Sequence, residues 1–168
     1  MRELLPMGLL LLGLCAAGCG ARASFDGRLY QDAEARYEVG ELGEGWSRVE
    51  TRGDNDLAFA HEGHGAVVQV NASCDPALDI PLQSLTAHLL IGSTDREERS
   101  AKLEPLDGRE ALHTHVLARF DGVPRELHLV VVKKNGCVYD MALVAPAGAR
   151  FRAAQADFRR SVSGFRTR

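Results

Sequence analysis

At 168 residues the chain has the length of one domain and enough material to bury a sizeable core. Hydrophobic residues at 45% and charged residues at 26% are an ordinary globular balance. A formal charge of −3 without a concentrated basic face argues against a nucleic-acid partner, and there is no repeat period or low-complexity tract.

The chain opens MRELLPMGLLLLGLCAAGCG. Arg2 and the amino terminus supply a short positive start, Leu9 to Leu14 an apolar run broken only by Gly13, and Ala16, Ala17 and Gly18 a small-residue stretch. This is the three-part layout of an export signal. Even counted from Leu4 to Gly18, the apolar stretch is shorter than the roughly 20 residues that span a bilayer as a helix. Ala16-Ala17-Gly18-Cys19 resembles a lipobox, with Ala16 where leucine is usual. That resemblance implies a signal peptide over 1–18 and a diacylglyceryl thioether on Cys19. The alternative is an ordinary cut near Ala21 to Ala23 that discards Cys19. Two or more acyl chains on one residue hold firmly, because each buried methylene contributes roughly 0.8 kcal/mol. The membrane, reached through lipid on Cys19, is thus an expected partner. The protein is expected on the periplasmic face of the envelope. Gly20 after the cysteine, where enteric retention uses aspartate, favours the outer membrane.

Residues 19–36 read as a polar tether and 37–168 as a single α+β domain. Trp46 to Glu50 alternates briefly, with Trp46 read as a core or rim residue. Leu57 to His61 and Ala66 to Ala72 read as short strands joined by the glycine-containing loop His61-Glu-Gly-His-Gly65. A helix is expected over Pro81 to Ile91, capped by Asp79, with Leu82, Leu85 and Leu89 as its buried stripe and Gly92 at its end. Residues 93–100, STDREERS, read as a solvated linker. Ala111 to Phe120 alternates as a strand, and Asp121-Gly122 turns the chain. Asn135-Gly136 predicts a two-residue type I′ turn, because both positions tolerate positive φ. Counting outward from it pairs Val132 with Tyr139, Val130 with Met141 and His128 with Leu143. Both faces of that hairpin are apolar, so both must be covered. A closing helix over Ala149 to Ser163 carries the stripe Phe151, Ala154, Phe158 and Val162, continued by Phe165. Arg150, Arg152, Arg159 and Arg160 lie mostly off that stripe, as a solvated face.

Several pieces resemble the PsbP-like (DcrB-like) group of small exported proteins: Tyr37 with Gly45-Trp46, the helix beginning Pro81-Leu-Gln-Ser-Leu, Leu106-Asp-Gly-Arg-Glu-Ala111, Gly136-Cys-Val-Tyr-Asp-Met and Phe158-Arg-Arg-Ser-Val-Ser-Gly-Phe165. The resemblance covers roughly 37–165. It implies an antiparallel β-sheet flanked by helices, the PsbP-like α/β/α sandwich. The group includes photosystem accessory factors, nuclear transport cofactors and lipoproteins of unknown role, and has no shared catalytic residues to carry over.

Cys74 and Cys137 would meet an oxidising compartment after export and are candidates for a structural disulfide; two buried free thiols are the alternative. His61 and His64 share a loop, and His113 and His115 point to one side of a strand. Paired imidazoles bind zinc or copper when a third or fourth ligand joins them, and Glu62 is the one neighbour the sequence offers. His88 and His128 read as satisfied residues near the core, and Asp54 and Asp56 as solvated turn acids. GxSxG, SxxK, HExxH and phosphate-loop motifs are missing. The expected function is a membrane-anchored envelope lipoprotein acting as a non-catalytic accessory or binding module for an envelope protein, with no cofactor. The competing reading is a metal-binding or hydrolytic envelope protein using His61, His64, His113 and His115.

Overall fold

The computed structural model describes residues 23–50 and 55–168. The expected signal peptide over 1–18, Cys15, Cys19 and Asp54 lie outside the described residues. Two antiparallel sheets form the fold. The smaller joins β1 (Ser24–Phe25), β2 (Leu29–Gln31), β3 (Arg36–Glu38) and β11 (Arg166–Thr167). The larger sheet contains β4 (Ser47–Arg48), β5 (Leu57–His61), β6 (Ala66–Ser73), β7 (Ser93–Leu106), β8 (Arg109–Phe120), β9 (Val123–Lys134) and β10 (Cys137–Ala145), in the spatial order β4-β5-β6-β10-β9-β8-β7. Helix α1 (Leu82–His88) packs on one face, and α2 (Ala149–Ser163) on the other with the small sheet. This is the expected α+β sandwich.

The β9–β10 hairpin has the predicted register: Val132 opposes Tyr139, Val130 opposes Met141 and His128 opposes Leu143. Its turn residues have the required left-handed backbone, with φ of 54° at Asn135 and 80° at Gly136. Alternate residues serve opposite cores, because side chains on a strand alternate between faces. Val130, Val132, Tyr139, Met141 and Leu143 face α2, where Phe151, Ala154, Phe158, Val162 and Phe165 meet them. Leu127 and Leu129 join Leu90, Val116 and Ala118 on the other face, and Val131 and Val138 pack with Leu85 there.

Three sequence expectations are corrected. Residues 24–36, read as tether, contribute β1, β2 and the first residue of β3, and Tyr30 and Ala35 are buried. The ring of Tyr30 stacks on Tyr37 at 5.0 Å, and Ala35 and Phe25 join it against the main core. Residues 93–100, read as linker, belong to the 14-residue edge strand β7. Its run of charges is what protects a sheet edge against stray pairing, and two register irregularities bend it further. Asp79 does not cap α1, which starts at Leu82 with Pro81 in the capping position and no side-chain cap; Asp79 instead accepts from Lys133 Nζ at 2.8 Å.

Cys74 and Cys137 are disulfide-bonded. The register dictates it: Val138 opposes Ser73, so the next pair outward along β10 and β6 is the two cysteines. Where α2 ends, Gly164 approaches Gly40 so closely that a Cβ on Gly164 would lie 2.6 Å from Gly40 Cα. Among the described residues, no helix is long and apolar enough to cross a membrane.

Candidate functional site

The α2 face of the large sheet is apolar over β6 and β10 and becomes polar toward β8 and β7. The strand register explains the change. His115 opposes His128 on β9 and Ser100 on β7, while His113 opposes Lys102. All of these residues share the α2 face, yet α2 does not extend far enough to seal them. A cavity of about 330 Å³ remains between the helix and the sheet edge. His113, His115 and His128 contribute from the sheet, Lys102 and Glu104 from the edge strand, and Arg159 from the helix.

Its inner wall is a pair of imidazoles. His113 Nδ1 and His128 Nε2 are 3.3 Å apart, and His128 is only 6% exposed. The Nδ1 of His128 is buried without a hydrogen-bond partner among the described residues. Burial, reinforced by the His113 ring and the charge of Arg159, lowers the His128 pKa to about 3, so it is neutral. One proton serves the contact between the two rings, and the orphaned nitrogen decides which ring supplies it. A buried N–H without an acceptor is rarer in proteins than an acceptor lacking a donor. His128 therefore carries its proton on Nε2 and donates to His113 Nδ1. His113, neutral through its own burial, then carries its proton on Nε2. Burial lowers its pKa, Glu104 opposes that shift and Arg159 adds to it.

His115 Nε2 donates to Glu126 Oε1 at 2.8 Å, and Glu126 Oε2 accepts the Gly148 backbone N–H at 2.8 Å. Gly148 immediately precedes α2, so Glu126 ties the start of the helix to the strand beneath it. The His115 ring also stacks on Phe151 at 4.9 Å.

The four histidines singled out in the sequence do not form one cluster. β5, with His61, and β8, with His113 and His115, are separated by β6, β10 and β9. Four interstrand steps of about 4.8 Å put them roughly 19 Å apart. His61 and His64 stack on each other at 3.9 Å, and His61 Nδ1 accepts the His64 backbone N–H. Among the described residues, no three His, Cys, Asp or Glu side chains are placed to hold a metal ion. His128, read as a satisfied core residue, has one unpaired nitrogen and completes the polar wall. Lys102 and Arg159 were not signalled by local sequence: one sat in a stretch without a motif, and the other belonged to an apparently solvated helix face.

Asp56 is also corrected. It is half-buried, and its Oδ2 accepts from the Tyr37 hydroxyl at 2.9 Å and from the Ala72 backbone N–H at 3.0 Å. Burial raises its pKa to about 6. Trp46 packs partly buried against the main core, with its indole N–H donating to Asp157 Oδ2 at 3.0 Å.

No family model matches the chain, and no curated protein matches it in sequence. Solved structures do share its fold. The solution structure of cyanobacterial PsbP (CyanoP) from Synechocystis sp. PCC 6803 is 17% identical with a TM-score of 0.57, covering 94% of this chain and 99% of that one. A crystal structure of a protein from Bacteroides thetaiotaomicron VPI-5482 is 13% identical with a TM-score of 0.56; the match covers 86% of this chain and 49%, about half, of that one. LpqN of Mycobacterium tuberculosis, described as involved in cell envelope biogenesis, is 11% identical with a TM-score of 0.53, covering 79% of this chain and 84% of that one. The chain therefore has a PsbP-like fold.

Proposed function

We propose that this protein is an exported lipoprotein, anchored through Cys19, that works at the cell envelope as a non-catalytic accessory module for another envelope protein. The observation that carries the proposal is the combination of a lipobox-like Ala16 to Cys19 with a PsbP-like domain beginning only five residues beyond it, at Ser24. Five extended residues reach at most about 17 Å. The domain is then held close against the bilayer, where it is placed to meet a membrane-bound partner. The likeness to LpqN, a protein of cell envelope biogenesis, supports the compartment, and the disulfide suits an oxidising one.

Labelling cells with a fatty-acid analogue tests the anchor. The wild-type protein takes up label and partitions into the membrane fraction, and Cys19→Ala abolishes both. Label retained in Cys19→Ala, or a native amino terminus downstream of Cys19, overturns the proposal. Crosslinking in intact cells tests the partner. Recovery of the same envelope protein with wild-type and not with Cys19→Ala is the expected result.

A further inference from the structure

We infer that the cavity between α2 and the β7 edge is a binding site for the oxyanion of a small phosphate-bearing ligand. This inference goes beyond the accessory reading and does not depend on the anchor. The cavity's volume of about 330 Å³ lies at the lower end of the range for small-molecule sites, roughly 300–1,000 Å³.

The chemistry of the wall selects an anion. Lys102 and Arg159 both line the cavity, and neither forms an ion pair or side-chain hydrogen bond among the described residues. Several other cations of the fold are paired. Lys133 reaches Asp79, Lys134 reaches Asp107, Arg160 reaches Asp157, and Arg28 and Arg168 share Glu38. Among the described residues Arg36, Arg109, Arg150 and Arg152 also lack a charged partner, so what sets Lys102 and Arg159 apart is that both line one cavity.

Behind them stands the His128–His113 pair. Its tautomer follows from the buried, unpartnered Nδ1 of His128 and leaves His113 with an Nε2–H as its remaining polar group. That is a donor, as an oxyanion requires; a metal would need a lone pair there. The Ser100 hydroxyl and the Gln155 amide add donors to the wall, while the Ser163 hydroxyl is committed to the Arg160 carbonyl. Charge-assisted bonds from arginine and lysine to phosphate are the strong class of such contacts. Glu104 is the one carboxylate of the lining, and it opposes binding.

An oxyanion between Lys102 and Arg159 would also favour protonation of His113, because a nearby negative charge stabilises the imidazolium. Facing that ring are Lys102 and Glu104 from β7, His128 from β9 and Arg159 from α2. Burial is what chiefly holds the ring neutral, with Arg159 adding to it, and the added anion opposes both.

The test uses the full chain, purified in detergent, with its imidazole resonances followed by NMR during titration with inorganic phosphate. A saturable shift of the His113 signals is expected. The double variant Lys102→Gln/Arg159→Gln should weaken binding by about tenfold or more, and Glu104→Gln should tighten it. Arg150→Gln/Arg152→Gln, which changes exposed arginines on the same helix, should leave the titration unmoved. A linear, non-saturating drift overturns the inference, as does equal loss in the two double variants. Short-chain dihexanoylphosphatidylglycerol serves as a second probe. Tighter binding than inorganic phosphate assigns the site to a lipid headgroup, and equal or weaker binding assigns it to a soluble phosphate; both support the inference. The labelling of Cys19 is read separately, so failure of one idea leaves the other standing.

Discussion

The two halves of the α2 face differ although the same helix covers both. Over β6 and β10 the interface is dry: Phe151 and Phe158 are 0% and 1% exposed, and Tyr37 and Phe165 are also buried. Over β8 and β7 it is wet, with unpaired cations and partly exposed imidazoles around an open cavity. Adjacent residues on α2 mark the boundary. Phe158 packs edge-on against His128 at 5.1 Å, while Arg159 lines the cavity. The difference teaches that apolar burial holds the fold on one half and leaves the other free to carry chemistry.

Removing material from the dry half is the largest perturbation. Phe158→Ala is expected to cost about 3–5 kcal/mol through lost transfer energy and a residual cavity. Arg159→Gln, one residue away, should stay within roughly 0.5 kcal/mol. Urea denaturation of both variants measures the contrast, and equal losses would erase the distinction between the halves.

The disulfide closes the dry half from outside the helix. Cys74 and Cys137 are separated by 63 residues. In the chain-entropy model, closing a loop of that size restricts the unfolded chain, with typical effects of about 2–4 kcal/mol. The double replacement Cys74→Ser/Cys137→Ser should lower the urea midpoint accordingly. An unchanged midpoint would mean that the bridge contributes nothing to holding β6 against β10.

Close packing at Gly40 and Gly164 sharpens the same point. A Cβ on Gly164 would meet backbone atoms, which cannot swing away as a side-chain end can. Gly164→Ala should cost about 1–3 kcal/mol by overpacking. Gly122→Ala is not an equivalent control, because its φ of 78° strains any side chain. Ala156→Ser, on the exposed side of α2, should be close to neutral when both variants are compared by urea denaturation.

The same comparison can be made through pH dependence. His128 titrates near 6.5 when unfolded and about 3 when folded. Between those values the unfolded chain binds a proton that the native chain refuses, so stability falls as pH drops from 6.5 toward 3. Asp56 acts oppositely: burial raises its native pKa from 3.8 to about 6. Its contribution is full below 3.8 and lost as pH rises through 6. His128→Leu should flatten the acid side of the stability profile, and Asp56→Asn should steepen it. Urea midpoints between pH 4 and 7 read both changes, and profiles that superimpose on the wild type would contradict the assignment of either group.

Local sequence made much of the scaffold legible. Asn135-Gly136 and the alternation beside it determined a turn, a register and two covered faces, because two-residue hairpin turns restrict both backbone geometry and pairing. The stripe from Phe151 to Val162 determined the buried side of α2, because helical periodicity survives in sequence. By contrast, Lys102 was hidden in the run of charges of an edge strand, and Tyr30 in a polar stretch that its hairpin partner Tyr37 and the core draw in. Tertiary structure alone decided that His113, His128, Lys102 and Arg159 would share one cavity and that His61 would not. Strand order sets that neighbourhood, and strand order depends on which long-range pairings bury the most surface, a quantity that no local window contains.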